Sequence, residues 1–345
     1  MWRVSRGLVN FSGKLTHDEV DELAKDPDIR VLQCSSAIEF DTWDLLNQGL
    51  FARRPDIALR VYGFYGSVCD LSFVSRMHNV QRFSADCLLK ATGVQHISGL
   101  PNLKELSIGI YNLDSFDFLE HVPSGITRLS LEATKSRKPS LAILSKFRSL
   151  RRLYIEGQQR DIEVLSELPE LEDLTLRSIT TPSLDYIANL PRLWSLDIKL
   201  GGTKNLSAIA EKESIKYLEL WQIRGLDDVS VVSSLRGLQF LFLQSLKNVS
   251  RIPDLSRLAK LRRIYLDNLK GLKNVRAIFH APALEEFIHI SAQNIAPDTY
   301  RELMKMPSLK QVSVGFCSRR KTVEFNNLVD RSGKTEYRYT DFDFR

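Results

Sequence analysis

Apolar residues along much of this chain recur at intervals of three, with one interval of two in each cycle. The pattern is clearest from Ile215 to Leu284. There, three consecutive lines of 23 residues read IKYLELWQIRGLDDVSVVSSLRG, LQFLFLQSLKNVSRIPDLSRLAK and LRRIYLDNLKGLKNVRAIFHAPA. They share one frame, L-x-x-L-x-L-x-x-L-x-x-L-x-x-V-x-x-L-x-x-L. The interval of two puts neighbouring leucines on one face of a strand. Intervals of three suit a return path of 3₁₀ turns or short helices, with three residues per turn. One cycle of strand and return cannot bury its own apolar ridge, so each must stack on the next. Stacking lays the strands side by side as a parallel sheet.

The frame extends through anchors at Leu103, Ile126, Leu150, Leu171, Leu193, Ile215, Leu238, Leu261, Leu284 and Leu309, with weaker copies beginning at Ile29, Ile57 and Val80. Self-similarity at this period, with L-x-x-L-x-L in the strand, resembles the leucine-rich repeat superfamily. The resemblance implies an α/β fold: a leucine-rich repeat solenoid, curved as a right-handed arc. Its parallel β-sheet would line the concave face, and 3₁₀ or short helices the convex face. One position departs from the commonest form of the motif. Where an asparagine usually bonds the backbone of the turn, this chain has Ile223, Leu246 and Leu269. Other groups must then satisfy the turn, because buried N–H and C=O groups rarely go unpaired. No subfamily is assigned.

Residues 1–55 read as an N-terminal capping section, 56–315 as the repeats and 316–345 as a C-terminal cap. A strand or strand pair is expected over residues 3–11. Thr16-His-Asp-Glu19 is a capping box that opens a helix running to about Lys25. A second helix is expected after Asp41 or Thr42, through Trp43, Leu45, Leu46 and Leu50, ending near Pro55. Longer elements of this kind cover the first coil of a solenoid. The alternative is an adaptor module that docks a second protein around Val20, Leu23, Trp43 and Leu46, as in leucine-rich repeat ubiquitin-ligase subunits. At the other end, Thr322-Val-Glu-Phe325 and Thr335-Glu-Tyr-Arg-Tyr339 flank Asp-Arg-Ser-Gly-Lys. That alternation predicts a hairpin covering the last strand edge.

Composition agrees with a folded chain: 43% of the 345 residues are hydrophobic and 26% charged, with a net charge of +6. No run of about 18 apolar residues is present for a membrane span. The first ten residues lack the apolar core of a secretory signal. Cys34, Cys69, Cys87 and Cys317 stand far apart with no C-x-x-C pair. They are expected to be reduced thiols in a cytoplasmic protein. The six histidines show no H-E-x-x-H spacing, and neither a phosphate-binding glycine loop nor G-x-S-x-G occurs. Catalysis, a metal site and a cofactor are therefore not expected. His289 takes the inward position that Leu266 holds one coil earlier. It reads as a neutral core histidine or a register shift ahead of a catalytic base.

Function depends on the residues that point away from the coil interior. From Leu103 onward those positions carry equal numbers of acidic and basic side chains. A duplex-binding face would be a stripe of one sign. The aromatic residues Tyr154, Trp194, Tyr217, Trp221, Phe240, Phe242 and Tyr265 are expected to form one patch, since adjacent strands lie ~4.8 Å apart. Arg177, Arg262 and Arg263 would flank it, and aromatic and arginine side chains dominate interface energetics. A basic segment holds Lys135, Arg137, Lys138, Arg148, Arg151 and Arg152. It reads as a solvated loop or a patch steering an acidic protein, with nucleic-acid or anionic-lipid binding as the alternative. The expectation is a monomeric module that grips a protein partner on its concave face. Its simplest output is that of a stoichiometric inhibitor, an immunity-type protein or a sequestering protein. The resemblance to ribonuclease inhibitor and toxin-neutralising immunity proteins is by fold only.

Overall fold

In the computed structural model, which describes residues 1–136 and 139–345, intervals of three become 3₁₀ turns in most returns, while the return between Gln244 and Arg263 is built of simple turns. Leu226, Val229, Val232, Leu235 and Leu238 are all buried. The N–H groups of Val232, Leu235 and Leu238 each donate to the carbonyl three residues back. With three residues per turn, every third side chain falls on the same side, so the ridge points inward along the whole return. Leu241 and Leu243 continue it on the following strand while Phe240, Phe242 and Gln244 face outward. Each such leucine contributes about 1.5–3 kcal/mol of burial energy.

The chain divides into two compact units, Met1–Leu171 and Glu172–Arg345. The first contains strands β1 (Trp2–Ser5), β2 (Leu8–Asn10), β3 (Val31–Cys34), β4 (Ala58–Tyr62), β5 (Cys69–Asp70), β6 (Arg82–Leu88), β7 (Ala91–Thr92), β8 (Glu105–Ile110), β9 (Arg128–Leu131) and β10 (Arg152–Glu156). β1 and β2 pair antiparallel, β5 and β7 form a small separate sheet, and the others follow one another in parallel. Helix α1 (His17–Lys25) begins at the Thr16–Glu19 capping box, with both reciprocal bonds made. Helix α2 (Phe40–Leu46) runs into a π-helical turn, Asn47–Phe51. Val20, Leu23, Trp43 and Leu46 are all buried. Trp43 stacks on Phe73 at 3.9 Å and meets Phe11 edge-on at 5.6 Å. These four side chains hold the core together, so they do not form the exposed contact that docking through the N-terminal helices requires.

The second unit contains β11 (Asp173–Arg177), β12 (Ser195–Lys199), β13 (Tyr217–Trp221), β14 (Phe240–Gln244), β15 (Arg263–Asp267), β16 (Glu286–Ile290), β17 (Gln311–Val314) and β18 (Thr335–Glu336). They lie in chain order and pair in parallel. A backbone device replaces the missing asparagine. Ser178, Leu200, Gln222, Ser245, Asn268 and Ser291, one per coil at the end of each strand, are left-handed with φ between 50° and 58°. Five of their N–H groups reach the carbonyl of the next coil: Ser178 to Lys199, Leu200 to Trp221, Gln222 to Gln244, Ser245 to Asp267 and Asn268 to Ile290, at 2.8–3.2 Å. Ile223, Leu246 and Leu269 then turn inward and are buried.

The C-terminal cap differs from the expected hairpin. Helix α3 (Arg301–Met304) precedes β17, and helix α4 (Arg319–Asp330) occupies the stretch read as the hairpin's first strand. Thr322, Phe325 and Val329 share a helical face as readily as Val323 and Phe325 share a strand face. Helix wins because Phe325 packs on Tyr300 and Phe316, each at 5.7 Å, and Arg320 pairs with Glu324 across one turn. β18 then adds in parallel to β17. His289 is buried beside Tyr300, with its Nδ1 2.8 Å from the phenol oxygen. Burial pulls its pKa down to about 4, so this histidine is a neutral core residue.

Two measurements check these assignments. Replacing exposed Gln222 with valine forces a β-branched residue into the left-handed region and is expected to lower unfolding free energy by about 1–2 kcal/mol, whereas Gln222→Gly leaves it nearly unchanged. Equal loss in both variants would contradict the assigned backbone. The folded-state pKa of His289 lies below its unfolded value of 6.5. Its contribution is therefore complete above pH 6.5 and is lost as pH falls towards 4. A His289→Leu/Tyr300→Phe variant removes both partners of the bond. Its unfolding free energy relative to wild type should rise as pH falls through that window, and a pH-independent difference counts against the assignment.

Candidate protein-binding face

Outward positions on the strands of the first unit are polar and mostly satisfied by one another. The Arg60 guanidinium grips both carboxylate oxygens of Asp86, donates to Gln33 and lies over the Tyr62 ring at 4.6 Å. Arg82 and Arg128 share Glu105 at 3.0 and 2.9 Å. Tyr154 is half-buried here, its hydroxyl donating to Glu156 at 2.9 Å. Of the basic segment, Lys135, Arg148, Arg151 and Arg152 are exposed, while Arg137 and Lys138 lie outside the described residues. Neighbouring Lys146 donates to the carbonyls of Leu119, Glu120 and Val122 and so serves the backbone of the adjoining coil.

The second unit presents a different face. Strand register sets Ser195, Tyr217, Phe240 and Arg263 in one row, and Asp197, Glu219, Phe242 and Tyr265 in the next. Phe242 stacks on Tyr265 with ring centres 4.7 Å apart, and Tyr217 meets Phe240 edge-on at 5.1 Å. A third row holds Arg177, Lys199, Trp221 and Gln244. Lys199 bridges Asp197 at 3.1 Å and Glu219 at 3.2 Å. Burial, reinforced by neighbouring Glu219, pushes the Asp197 carboxyl up to about 6 against the pull of Lys199. Its second oxygen, Oδ1, has no hydrogen-bond partner. Tyr217 donates to Glu219 at 2.7 Å, and burial first, then Asp197 and Glu219, raise its pKa.

This face is already occupied by the chain's own C-terminus. After β18 the last residues cross the strands, and Phe344 sits 5.1 Å from Trp194 and 6.0 Å from Tyr217. Phe342 packs 5.3 Å from Phe240, beneath the guanidinium groups of Arg262 at 4.6 Å and Arg263 at 4.9 Å. A cavity of about 550 Å³ remains between tail and strands, with Asp173 and Asp197 among its lining residues.

No family model matches the sequence, and no curated protein matches it. Among solved structures the chain is similar to the internalin InlF of Listeria monocytogenes, at 20% identity and a TM-score of 0.56, over 82% of this chain and 78% of that one. It is also similar to the LRR protein LIC12759 of Leptospira interrogans, at 13% identity and a TM-score of 0.49, over 90% of each chain. The likeness to InlF joins one parallel strand per coil and the 3₁₀ returns. The chain is a leucine-rich repeat protein by fold.

Within this fold, Trp194, Tyr217, Phe240, Phe242, Arg262, Arg263 and Tyr265 come together on the second unit, with Arg177 and Trp221 one row further along the same strands. Tyr154 belongs to the first unit and joins a polar network there. Arg263, expected at an exposed flank, is only 3% exposed. Glu286 pairs with it, and the tail's Thr340 accepts from it through both carbonyl and hydroxyl oxygens. Tyr337, Thr340, Phe342 and Phe344 were not anticipated as part of this face. Their signal was two short runs in which aromatic and polar residues alternate, Tyr337–Tyr339 and Asp341–Arg345. No described helix is long and apolar enough to cross a membrane.

The raised Asp197 carboxyl gives a pH test. Because its folded pKa of about 6 exceeds its unfolded value of 3.8, the stability it confers is complete below pH 3.8 and is lost as pH rises through 6. Relative to wild type, Asp197→Asn should therefore gain unfolding free energy between pH 4 and 6.5 and then level off. A difference that stays flat across that range would show that Asp197 is not the buried acid described.

Proposed function

We propose that this leucine-rich repeat protein recognises a protein partner on the outward strand face of its second unit. The observation that carries the reading is that this face already holds a length of polypeptide. Aromatic side chains receive Phe342 and Phe344, and Gln239, Arg262 and Arg263 bond the tail's backbone. A surface with those capacities suits a protein ligand far better than a nucleic acid, whose phosphates call for unpaired cations. Here two of the cations are held by acids, Lys199 by Asp197 and Glu219 and Arg263 by Glu286, and Arg262 donates to a carbonyl of the tail.

The mechanism is stoichiometric. Strand register and buried ridges hold the face in place before binding, so little ordering entropy is lost when a partner docks. Sequestration or inhibition is the simplest output of a surface that binds without further chemistry. The cysteines are unpaired, two of them buried, which supports a reducing compartment such as the cytoplasm.

A photo-crosslinking side chain placed at Gln244, on this face, should capture the partner from a native lysate. The same group at exposed Arg236, on a return, should not. Trp194→Ala/Phe242→Ala should weaken the interaction by about 2–4 kcal/mol, the scale of interface hot spots, whereas Arg148→Ala/Arg152→Ala leaves it intact. The reading fails if the crosslinks form equally from both positions, or if the aromatic variant keeps full affinity.

A further inference from the structure

The tail and the face it covers have the chemistry of a ligand and its site. Beyond Tyr337, whose N–H reaches the Val312 carbonyl, the tail has no further backbone–backbone bond among the described residues. Side chains take over. The Gln239 amide makes a two-way contact with Arg345, donating to its carbonyl and accepting from its N–H at 2.9 Å. Arg262 donates to the carbonyl of Asp343, and Arg263 to that of Thr340. These contacts hold an extended backbone without reading its sequence, as in other modes that grip a peptide by its main chain. Sequence is read by alternation: Phe342 and Phe344 are half-buried against the strands, whereas Asp341, Asp343 and Tyr339 are exposed. With the tail in place Gln239 and Arg263 are each 3% exposed, and both direct side-chain donors at it.

We propose that the segment 339–345 is a displaceable internal ligand, and that the partner docks by presenting an extended segment with aromatic residues at alternate positions. The proposal rests on the strand face being the binding surface. The tail covers the aromatic slots in the resting chain and leaves when a competing segment enters. A tethered segment of this kind acts at an effective concentration in the millimolar range. It can therefore mask the face although each contact is individually weak.

The test uses the full chain and a fluorescent heptapeptide, Tyr-Thr-Asp-Phe-Asp-Phe-Arg, matching residues 339–345. In fluorescence anisotropy the peptide should bind the full-length Phe342→Ala/Phe344→Ala variant at least about tenfold more tightly than it binds wild type. A peptide with both phenylalanines replaced by alanine should bind neither. Equal affinity for the two proteins would overturn the proposal, because the tail would then not be in competition. Absence of binding to the variant up to about 1 mM, the effective concentration of the tether, would overturn it as well. Adding Trp194→Ala/Phe240→Ala to the tail variant separates this inference from the one it rests on. Peptide binding lost with these changes places the ligand on the strand face. Peptide binding that survives them refutes the choice of face, and with it the proposal. If instead the crosslinked partner needs Trp194 but binds wild type and tail variant equally, the face stands as the binding surface and the internal-ligand proposal fails.

Discussion

No coil of this protein can bury its own apolar ridge, and the rest of the structure follows from that constraint. Period-three spacing turns every third side chain inward along a 3₁₀ return, so each coil offers a greasy edge that only the next coil can cover. Stacking in turn needs the strand ends to be closed without exposing backbone. In the second unit a left-handed residue after the strand does this from β11 to β15 by sending its N–H to the neighbouring coil, as Gln222 does to Gln244. Non-glycine residues in that conformation cost about 1–2 kcal/mol each. Burial of the several leucines in each coil outweighs this, since each is worth about 1.5–3 kcal/mol.

A rigid interior has a consequence for the exterior. Register fixes which side chains stand next to one another across strands, so faces are rows of fixed composition. In the first unit those rows are ion pairs and amides that satisfy one another, as Arg60 and Asp86 do. Asp86 is only 8% exposed, so its pair with Arg60 is part-buried, and while paired these groups leave few free for a ligand. In the second unit the rows are aromatic beside acidic, and the buried cation Arg263 is matched by Glu286. A buried charge tolerates removal of its partner poorly. Arg263 is therefore held in place by the fold while its remaining donors point at the tail.

Much of this was legible because it is periodic. The strands, the 3₁₀ returns, the capping box at Thr16 and the outward aromatic positions all follow from spacing that one sequence displays. What was not legible is what periodicity does not encode. The left-handed residues are Ser, Leu, Gln and Asn in different coils, so their shared backbone role leaves no shared letter. Helix α4 and the expected hairpin are both compatible with the apolar residues of that stretch, and the choice was made by Tyr300 and Phe316, remote partners of Phe325. The burial of Arg263 depends on a tail that arrives from more than seventy residues later in the chain.

That tail also resolves a physical difficulty. An uncovered cluster of Trp194, Tyr217, Phe240, Phe242 and Tyr265 would be an exposed apolar patch, which in a folded protein marks either an interaction site or an aggregation hazard. Covering it with a covalently attached segment removes the hazard at every protein concentration, because the tether does not dilute. The covering must still be weak enough to leave. If the tail occupies the face 90–99% of the time, it weakens an external ligand by about ten- to a hundredfold, or about 1.4–2.7 kcal/mol. Two phenylalanines and a few bonds from Gln239, Arg262 and Arg263 to the backbone are of that order, since aromatic pairs and net hydrogen bonds each contribute about 1 kcal/mol against the entropy of ordering the segment. A partner with the same alternation and a few contacts more can meet that threshold, whereas a scattered apolar surface cannot.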